Sequence, residues 1–380
     1  MSELYIGVMS GTSLDGMDLI LVEIGHPFFH SIKSFHHEPF QASFREEMLL
    51  ALGGDAVDPS FLIRLHGALG HVLADAVERF LAQTGTAPQQ IRALGLHGLT
   101  FRHCPEPRET LAGTGTGTLQ LGDPHVISAR TGIPVIYDFR HADMAVGGQG
   151  APLAPFLDQL LFRHETKGRI LLNLGGIANL TFLPANSQVI CAFDSGPANM
   201  IIDSLMRKHP QTPGPFDPEG ACASSGQTIQ SLLDECLQHP YFAMKPPKST
   251  GRKLFGDVFT RIFLDYTCQN YNDLVTTATR LTAISVAHAI TSFAPQPFTS
   301  DHFHQLIVSG GGSHNQTLMA MIGQYLPIEI SATSAHALDE DAKEALLMAS
   351  LAWANCHRIP ANIPAVTGAS KLVVLGACCG

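Results

Sequence analysis

The sequence predicts an α/β protein made of two duplicated α/β domains, and three observations lead there. Its 380 residues exceed the size at which a single hydrophobic core keeps growing. Short apolar, β-prone runs alternate with stretches of helical periodicity along the chain. A unit of strand, turn of glycine with small polar residues, and strand occurs around Gly11 and again around Gly175-Gly176, which is the trace a duplicated domain leaves.

Leu4 to Met9 is a strand by its apolar, β-prone composition, the polar segment 10–16 turns the chain, and Met17 to Ile24 returns as a second strand. From Phe61 to Leu81 the residues Leu62, Leu65, Leu69, Val72, Leu73, Ala76 and Phe80 recur at helical spacing and predict an amphipathic helix. Ile91 to Leu96 is a buried strand ending at His97-Gly98, and Ile133 to Tyr137 is another, ending at Asp138-Phe139-Arg140. The Gly/Thr run from Gly113 to Thr118 is low in complexity and predicts a surface loop or hairpin tip. The glycine-rich stretch Gly147 to Pro152 suits a junction between domains. Beyond it the strand Arg169 to Leu174 meets Gly175-Gly176, and Leu180 to Leu183 returns. Gln188 to Ala192 leads into Phe193-Asp194, Gln305 to Val308 runs into Ser309-Gly310-Gly311-Gly312, and a helix spans about Asp341 to Trp353.

Composition narrows the function. The chain is 45% hydrophobic, so it can bury substantial cores. Lys+Arg 23 against Asp+Glu 33 gives a formal net charge of -10, which excludes a nucleic-acid backbone or an anionic membrane as the main partner but leaves room for a local basic pocket. The eight cysteines form no C-x-x-C pair and no regular framework, so they read as reduced thiols. No basic-then-apolar leader and no bilayer-length apolar run are present, and the expectation is a soluble, cytoplasmic protein. The 19 histidines include no helical i, i+4 pair beside an acidic residue, which argues against a zinc site.

Glycine loops at strand ends carry the chemistry. The segment Gly11-Thr12-Ser13-Leu14-Asp15-Gly16-Met17-Asp18 has the glycine spacing of a P-loop, but Met17 stands where that loop needs lysine, so a Walker-type site is rejected. A hairpin of this composition can still offer N–H groups and hydroxyls to a phosphate, with a carboxylate for magnesium water; it is equally an ordinary turn. Gly175-Gly176 and the Gly310-Gly311-Gly312 loop with Asn315 have the same two readings, and three such loops together point to one bound nucleotide. Asp194, at a strand end before Gly196-Pro197, is a general base or an Asx-turn residue. Arg140 with Asp143 is an ion pair or a carboxylate receptor, Glu344 is a site residue or a solvated first turn, and the basic cluster Lys245 to Lys253 is a phosphate contact or a surface loop.

Taken together, the blocks Met9 to Asp18, Asp138-Phe139-Arg140 with Asp143, Gly147 to Leu153, Asn173 to Asn179, Phe193 to Asn199, Pro247 to Arg252, Ser309 to Gly312, Asp341 to Ala345 and Val366 to Ala369 resemble the anhydro-N-acetylmuramic acid kinase family over nearly the whole chain. The resemblance implies the actin-like, sugar-kinase fold of ribonuclease H-like type, with ATP and Mg2+ in a central cleft, and a homodimer. It implies the conversion of 1,6-anhydro-N-acetylmuramic acid to N-acetylmuramic acid 6-phosphate in peptidoglycan recycling, with Asp194 as the base that activates water. On the same ground the residues Gly11 to Asp18, Gly175, Gly176, Gly310, Gly311, Gly312 and Asn315 face the nucleotide, and Thr100, Arg140, Asp143 and Glu344 face the sugar. The expected organisation is residues 1–138 as the first domain, 139–345 as the second, and 346–380 as a C-terminal helix and tail that pack back on the first. Three positions depart from the family's pattern: Leu99, where glutamine is common, Ala198, where glycine is common, and Lys253, where an acid is common. The rivals are a kinase of another sugar on the same fold and an actin-like or chaperone-like ATPase.

Overall fold

A computed structural model describes residues 2–11, 14–53, 57–185, 190–267, 270–299, 301–336 and 342–380. Its strands are β1 (Ser2–Met9), β2 (Gly16–Gly25), β3 (Phe29–Pro39), β4 (Ile91–Leu96), β5 (Leu99–Thr110), β6 (Gly113–Leu121), β7 (Val135–Tyr137), β8 (Arg169–Leu174), β9 (Ile177–Leu183), β10 (Cys191–Pro197), β11 (Gln305–Ser309), β12 (Glu329–Ala332) and β13 (Ala377–Cys379). The chain divides into two compact units, one made of Met1–Leu160 with Ala342–Gly380, the other of Leu161–Asp341.

The first unit carries a six-stranded sheet in the order β13-β7-β4-β1-β2-β3. β1, β2 and β3 form an antiparallel meander, and β4 runs parallel to β1 and β7 parallel to β4. The second unit has a five-stranded sheet in the order β10-β9-β8-β11-β12, in which β8, β9 and β10 form the antiparallel meander and β11 and β12 follow in parallel. Apart from β13, the two orders coincide strand for strand: β8 corresponds to β1, β9 to β2, β10 to β3, β11 to β4 and β12 to β7. The duplication expected from two glycine turns is therefore present in the whole topology, and the fold is the two-domain sugar-kinase class.

Packing explains the sheets. The helix Pro59–Thr84 buries Leu65, Leu69, Leu73, Val77 and Phe80 on one face, the stripe that its periodicity predicts, and begins with Asp58 accepting from Ser60 N–H at 3.0 Å. On the other side the helix Lys343–Cys356 lies so close to β1 and β4 that a methyl at Gly7 would overlap the Ala345 carbonyl and one at Gly95 the Met348 carbonyl. This helix is hydrophobic nearly all round because it is buried between layers. In the second unit the helix Tyr271–Phe293 has the same enclosed position, with Ala283, Val286 and Ile290 in the sheet core and Leu274, Val275 and Leu281 packed on the helical insertion.

Several expectations change. The chain leaves the first unit at Leu160 and not at residue 138, because the glycine stretch 147–152 is no linker: Asp143 Oδ2 accepts from Gly150 N–H at 2.8 Å and Gln149 N–H donates to Thr367 O at 2.8 Å. The return falls at Ala342, so Glu344 belongs to the first unit. The Gly/Thr run is strand β6, paired with β5 in a separate, largely exposed two-stranded ribbon.

Candidate functional site

In the first unit the β1–β2 turn is closed by Leu14 N–H donating to Gly11 O at 3.2 Å and tied to the next strand end by Phe40 N–H donating to Asp15 O at 3.2 Å. Leu14 adopts the left-handed region with φ 57 while its side chain is fully buried, so the core holds a backbone shape that costs about 1 kcal/mol or more. Leu14 and Met17 thus offer only backbone to a ligand, their side chains being core. Thr12 and Ser13 lie outside the described residues. Asp15 Oδ1 accepts from Gly16 N–H at 3.0 Å, and Asp18 pairs with His37 Nδ1 at 2.7 Å. Ser10 Oγ, at the base of the turn, is buried and has no hydrogen-bond partner among the described residues.

Glu344 stands in the first turn of the helix seated on Gly7 and Gly95, beside the buried ion pair of Lys343 Nζ with Asp158 Oδ1 at 2.7 Å. Its side chain reaches solvent, yet protein surrounds it densely enough that desolvation, and then Asp18 and Asp15, push its carboxyl above the usual range. Carboxylates of the turn and of this helix therefore share one field. Arg140 enters that field too: NH1 donates to Gly150 O at 2.8 Å, NH2 lies 2.9 Å from His97 Nε2, and Nε is buried without a partner.

Asp143 corrects the sequence reading. It is 1% exposed, and besides Gly150 N–H it accepts from Asn362 Nδ2 at 2.9 Å and Thr367 Oγ1 at 2.8 Å. Its oxygens are spent inside the protein, and it fixes the loop whose Gly150 carbonyl holds Arg140. Thr100, on β5, accepts from Gln120 Nε2 at 3.3 Å within the ribbon.

In the second unit the glycine loops meet. Ala198 N–H donates to Gly176 O and Asn199 N–H to Gly175 O, both at 3.0 Å, while Asn199 Nδ2 donates to Leu174 O at 3.0 Å. β11 delivers Ser309 opposite Asn173 of β8, and Gly312 sits against Leu174 and Asn199 with no room for a side chain. Gly175, Gly176, Gly310, Gly311 and Gly312 are thus gathered at one end of the sheet. Asn315 is different from expectation: it is buried and caps the helix Gln316–Tyr325, its Oδ1 accepting from Leu318 N–H at 2.9 Å. Beside that helix lies a cavity of about 690 Å³, lined among others by Glu219, Arg280, Thr317 and Gln324.

Asp194 lies in β10 at a bulge, between the pairs Asp194–Asn179 and Gly196–Ala178, an irregularity that re-aims the side chain. Asp194 N–H donates to Lys248 O at 3.1 Å, Thr250 N–H donates to Asp194 Oδ2 at 2.8 Å, and Tyr241 Oη donates to Asp194 O at 2.9 Å. Burial raises its carboxyl to about 6, against the opposing pull of the Thr250 amide and the Lys248 charge. Lys248 is no surface residue: it is 7% exposed, donates to Tyr241 O at 3.2 Å, and lies 4.8 Å from the ring centres of both Tyr241 and Phe293. Lys248 and Thr250 fall in the basic cluster 245–253 and His97 at a predicted strand end, but their places beside Asp194 and Arg140 do not show in local sequence, since each is defined by a partner far along the chain.

A profile of the anhydro-N-acetylmuramic acid kinase family matches residues 3–379. The chain belongs to that family. It is similar to the anhydro-N-acetylmuramic acid kinase of Shewanella denitrificans, 40% identical over 376 residues that cover 98% of this chain and 97% of the relative. It is similar likewise to that of Salinibacter ruber, at 41% identity covering 98% and 94%, and to that of Vibrio parahaemolyticus, at 40% covering 99% and 98%. Superposition on solved structures is loose, as with component A of the (R)-2-hydroxyglutaryl-CoA dehydratase of Acidaminococcus fermentans, with TM-score 0.45 and 9% identity over 91% of this chain and 96% of that one. The strand order, not that superposition, identifies the fold. Among the described residues no helix is long and apolar enough to cross a membrane, and no group of three His, Cys, Asp or Glu is placed to hold a metal ion directly.

Proposed function

We propose that this protein uses ATP to convert 1,6-anhydro-N-acetylmuramic acid and water to N-acetylmuramic acid 6-phosphate and ADP, a step of peptidoglycan recycling. The kinase activity follows from family membership; the roles of individual residues rest on the geometry above. The observation that carries them is Asp194, a carboxylate raised to about 6 and aimed by a bulge, clamped on both sides by the segment Lys248–Thr250. A group with that pKa is ionised at neutral pH and still basic enough to take a proton from water.

In the reaction water attacks the anomeric carbon as Asp194 takes its proton. The bond from that carbon to the bridging oxygen breaks, and the released O6 takes the γ-phosphoryl group, so no acid is needed to protonate the leaving oxygen. The backbone of the Gly11–Asp18 turn, Gly175-Gly176 and Gly310–Gly312 binds the phosphates, which supplies positioning and charge stabilisation more than covalent chemistry. The donor set near the turn suits magnesium: hard oxygen carboxylates, Asp15, Asp18 and Glu344, whose mutual field is relieved by a cation. These three would hold the ion through water and let it neutralise phosphate charge. A homodimer in the cytoplasm goes with this reading, on the family resemblance alone.

ADP release is to be measured with and without 1,6-anhydro-N-acetylmuramate, in water enriched in oxygen-18. Sugar-dependent ADP, with label at the anomeric hydroxyl in step with phosphorylation, is expected. Sugar-independent ADP release would point to an ATPase, and phosphorylation without label to a kinase of an ordinary hydroxyl.

A further inference from the structure

Arg140 is a cation that protein groups hold by two corners and leave chemically unanswered. Its polar contacts are the Gly150 carbonyl at 2.8 Å and His97 Nε2 at 2.9 Å, neither of which is charged, and its Nε is buried with no partner. Glu344 acts on it only through space. A half-buried arginine side chain without a bonded carboxylate, its Nε closed off from water, is a receptor for a planar anion.

His97 decides where that receptor points. It is 7% exposed at the end of β4, and its Nδ1 lies 2.7 Å from the Gly98 carbonyl oxygen. A carbonyl only accepts, so Nδ1 carries the hydrogen; Nε2 is then a bare lone pair, and it accepts from Arg140 NH2. The opposite tautomer or the doubly protonated ring would set two N–H groups against each other. Burial, and next the Arg140 charge itself, hold the imidazolium pKa at about 3, so the accepting form persists at all ordinary pH.

We propose that His97 is the positioning residue of Arg140, a fixed neutral acceptor that presents the guanidinium to the carboxylate of the acidic sugar. The inference rests on the proposed substrate and adds which group of it is read, and by what. It explains why Asp143 is buried and saturated: the carboxylate that holds the Gly150 loop supports the second corner of the same guanidinium without pairing with it.

The test is calorimetric binding, which does not require turnover, with 1,6-anhydro-N-acetylmuramate and with 1,6-anhydro-N-acetylglucosamine, the analogue without the acidic arm. His97→Met, of similar bulk but with only a weak thioether acceptor, should weaken binding of the acidic sugar by about tenfold or more, the usual scale for a hydrogen bond to a charged group, and leave the neutral analogue within about twofold. His97→Gln, whose amide oxygen reaches to where Nε2 stands, should recover most of the loss. Equal weakening for both sugars, no weakening, or failure of Gln to outperform Met would each overturn the proposal. If Met does not fold, Arg140→Gln must show the same selective loss. Selective binding of the acidic sugar by an enzyme that does not phosphorylate it would uphold the receptor and defeat the proposed reaction.

Discussion

The charge on Lys248 should be visible in the pH dependence of turnover. If Asp194 must be ionised to accept a proton from water, activity falls as pH drops through its pKa of about 6. The ionised fraction is then about 0.9 at pH 7 and about 0.09 at pH 5, so kcat/KM for the sugar should fall about tenfold between them. An ordinary aspartate near 3.8 would lose less than about a tenth over that range. Lys248 lowers the pKa of Asp194, and its ammonium sits in a cage of Tyr241, Phe293 and Phe193 that methionine can fill. Removing the charge by Lys248→Met should raise the acid limb by about one unit, or about 1.4 kcal/mol of lost attraction. The variant would then be about fivefold slower at pH 6, about twofold slower at pH 7, and equal to wild type above about pH 8.5. Steady-state rates at saturating MgATP from pH 5 to 9 make the comparison. A wild-type limb near 4, or a variant equally impaired at every pH, would refute the reasoning.

Three further outcomes are expected. Asp194→Asn should abolish turnover while ATP binding, followed by calorimetry, persists; near wild-type rates would remove Asp194 from the chemistry. Asp18→Ala should raise the KM for ATP several-fold with little effect on sugar binding, and unchanged nucleotide kinetics would take the β1–β2 turn out of the site. Gly95→Val should lower the thermal midpoint sharply, because the new side chain meets the Met348 backbone and overpacking costs about 1–3 kcal/mol or more; a melt within a degree of wild type would contradict the close helix–sheet approach.

The strands were legible wherever their apolar runs were bounded by glycine or polar turns: β4 and β8 fall at Ile91–Leu96 and Arg169–Leu174, the residues the pattern predicts. The ribbon β5–β6 was not, since its exposed residues, alternating glycine and threonine in part, carry no apolar face to read. The C-terminal helix was foreseen, but Glu344 was assigned to the wrong domain because chain order does not reveal that Lys343 pairs with Asp158. The glycine loops were legible as loops; that the Gly175-Gly176 and Gly310–Gly312 loops meet required β11 to lie beside β8, a pairing between segments over a hundred residues apart. Lys248 among prolines reads as a phosphate contact or a surface residue, and the aromatic side chains that enclose it show that it is buried.

The first unit is assembled from both ends of the chain, with the second unit inserted whole between Leu160 and Ala342. At the usual pace of synthesis, about 5–20 residues per second, the sheet of β1, β2 and β4 waits roughly 13–52 s for the helix that covers Gly7 and Gly95. The inserted unit, whose own sheet and covering helix are continuous in sequence, is complete before that helix is made. Folding order therefore runs against chain order: the later-numbered half closes first, and the nascent N-terminal sheet, with an open apolar face, is the part most in need of protection from aggregation.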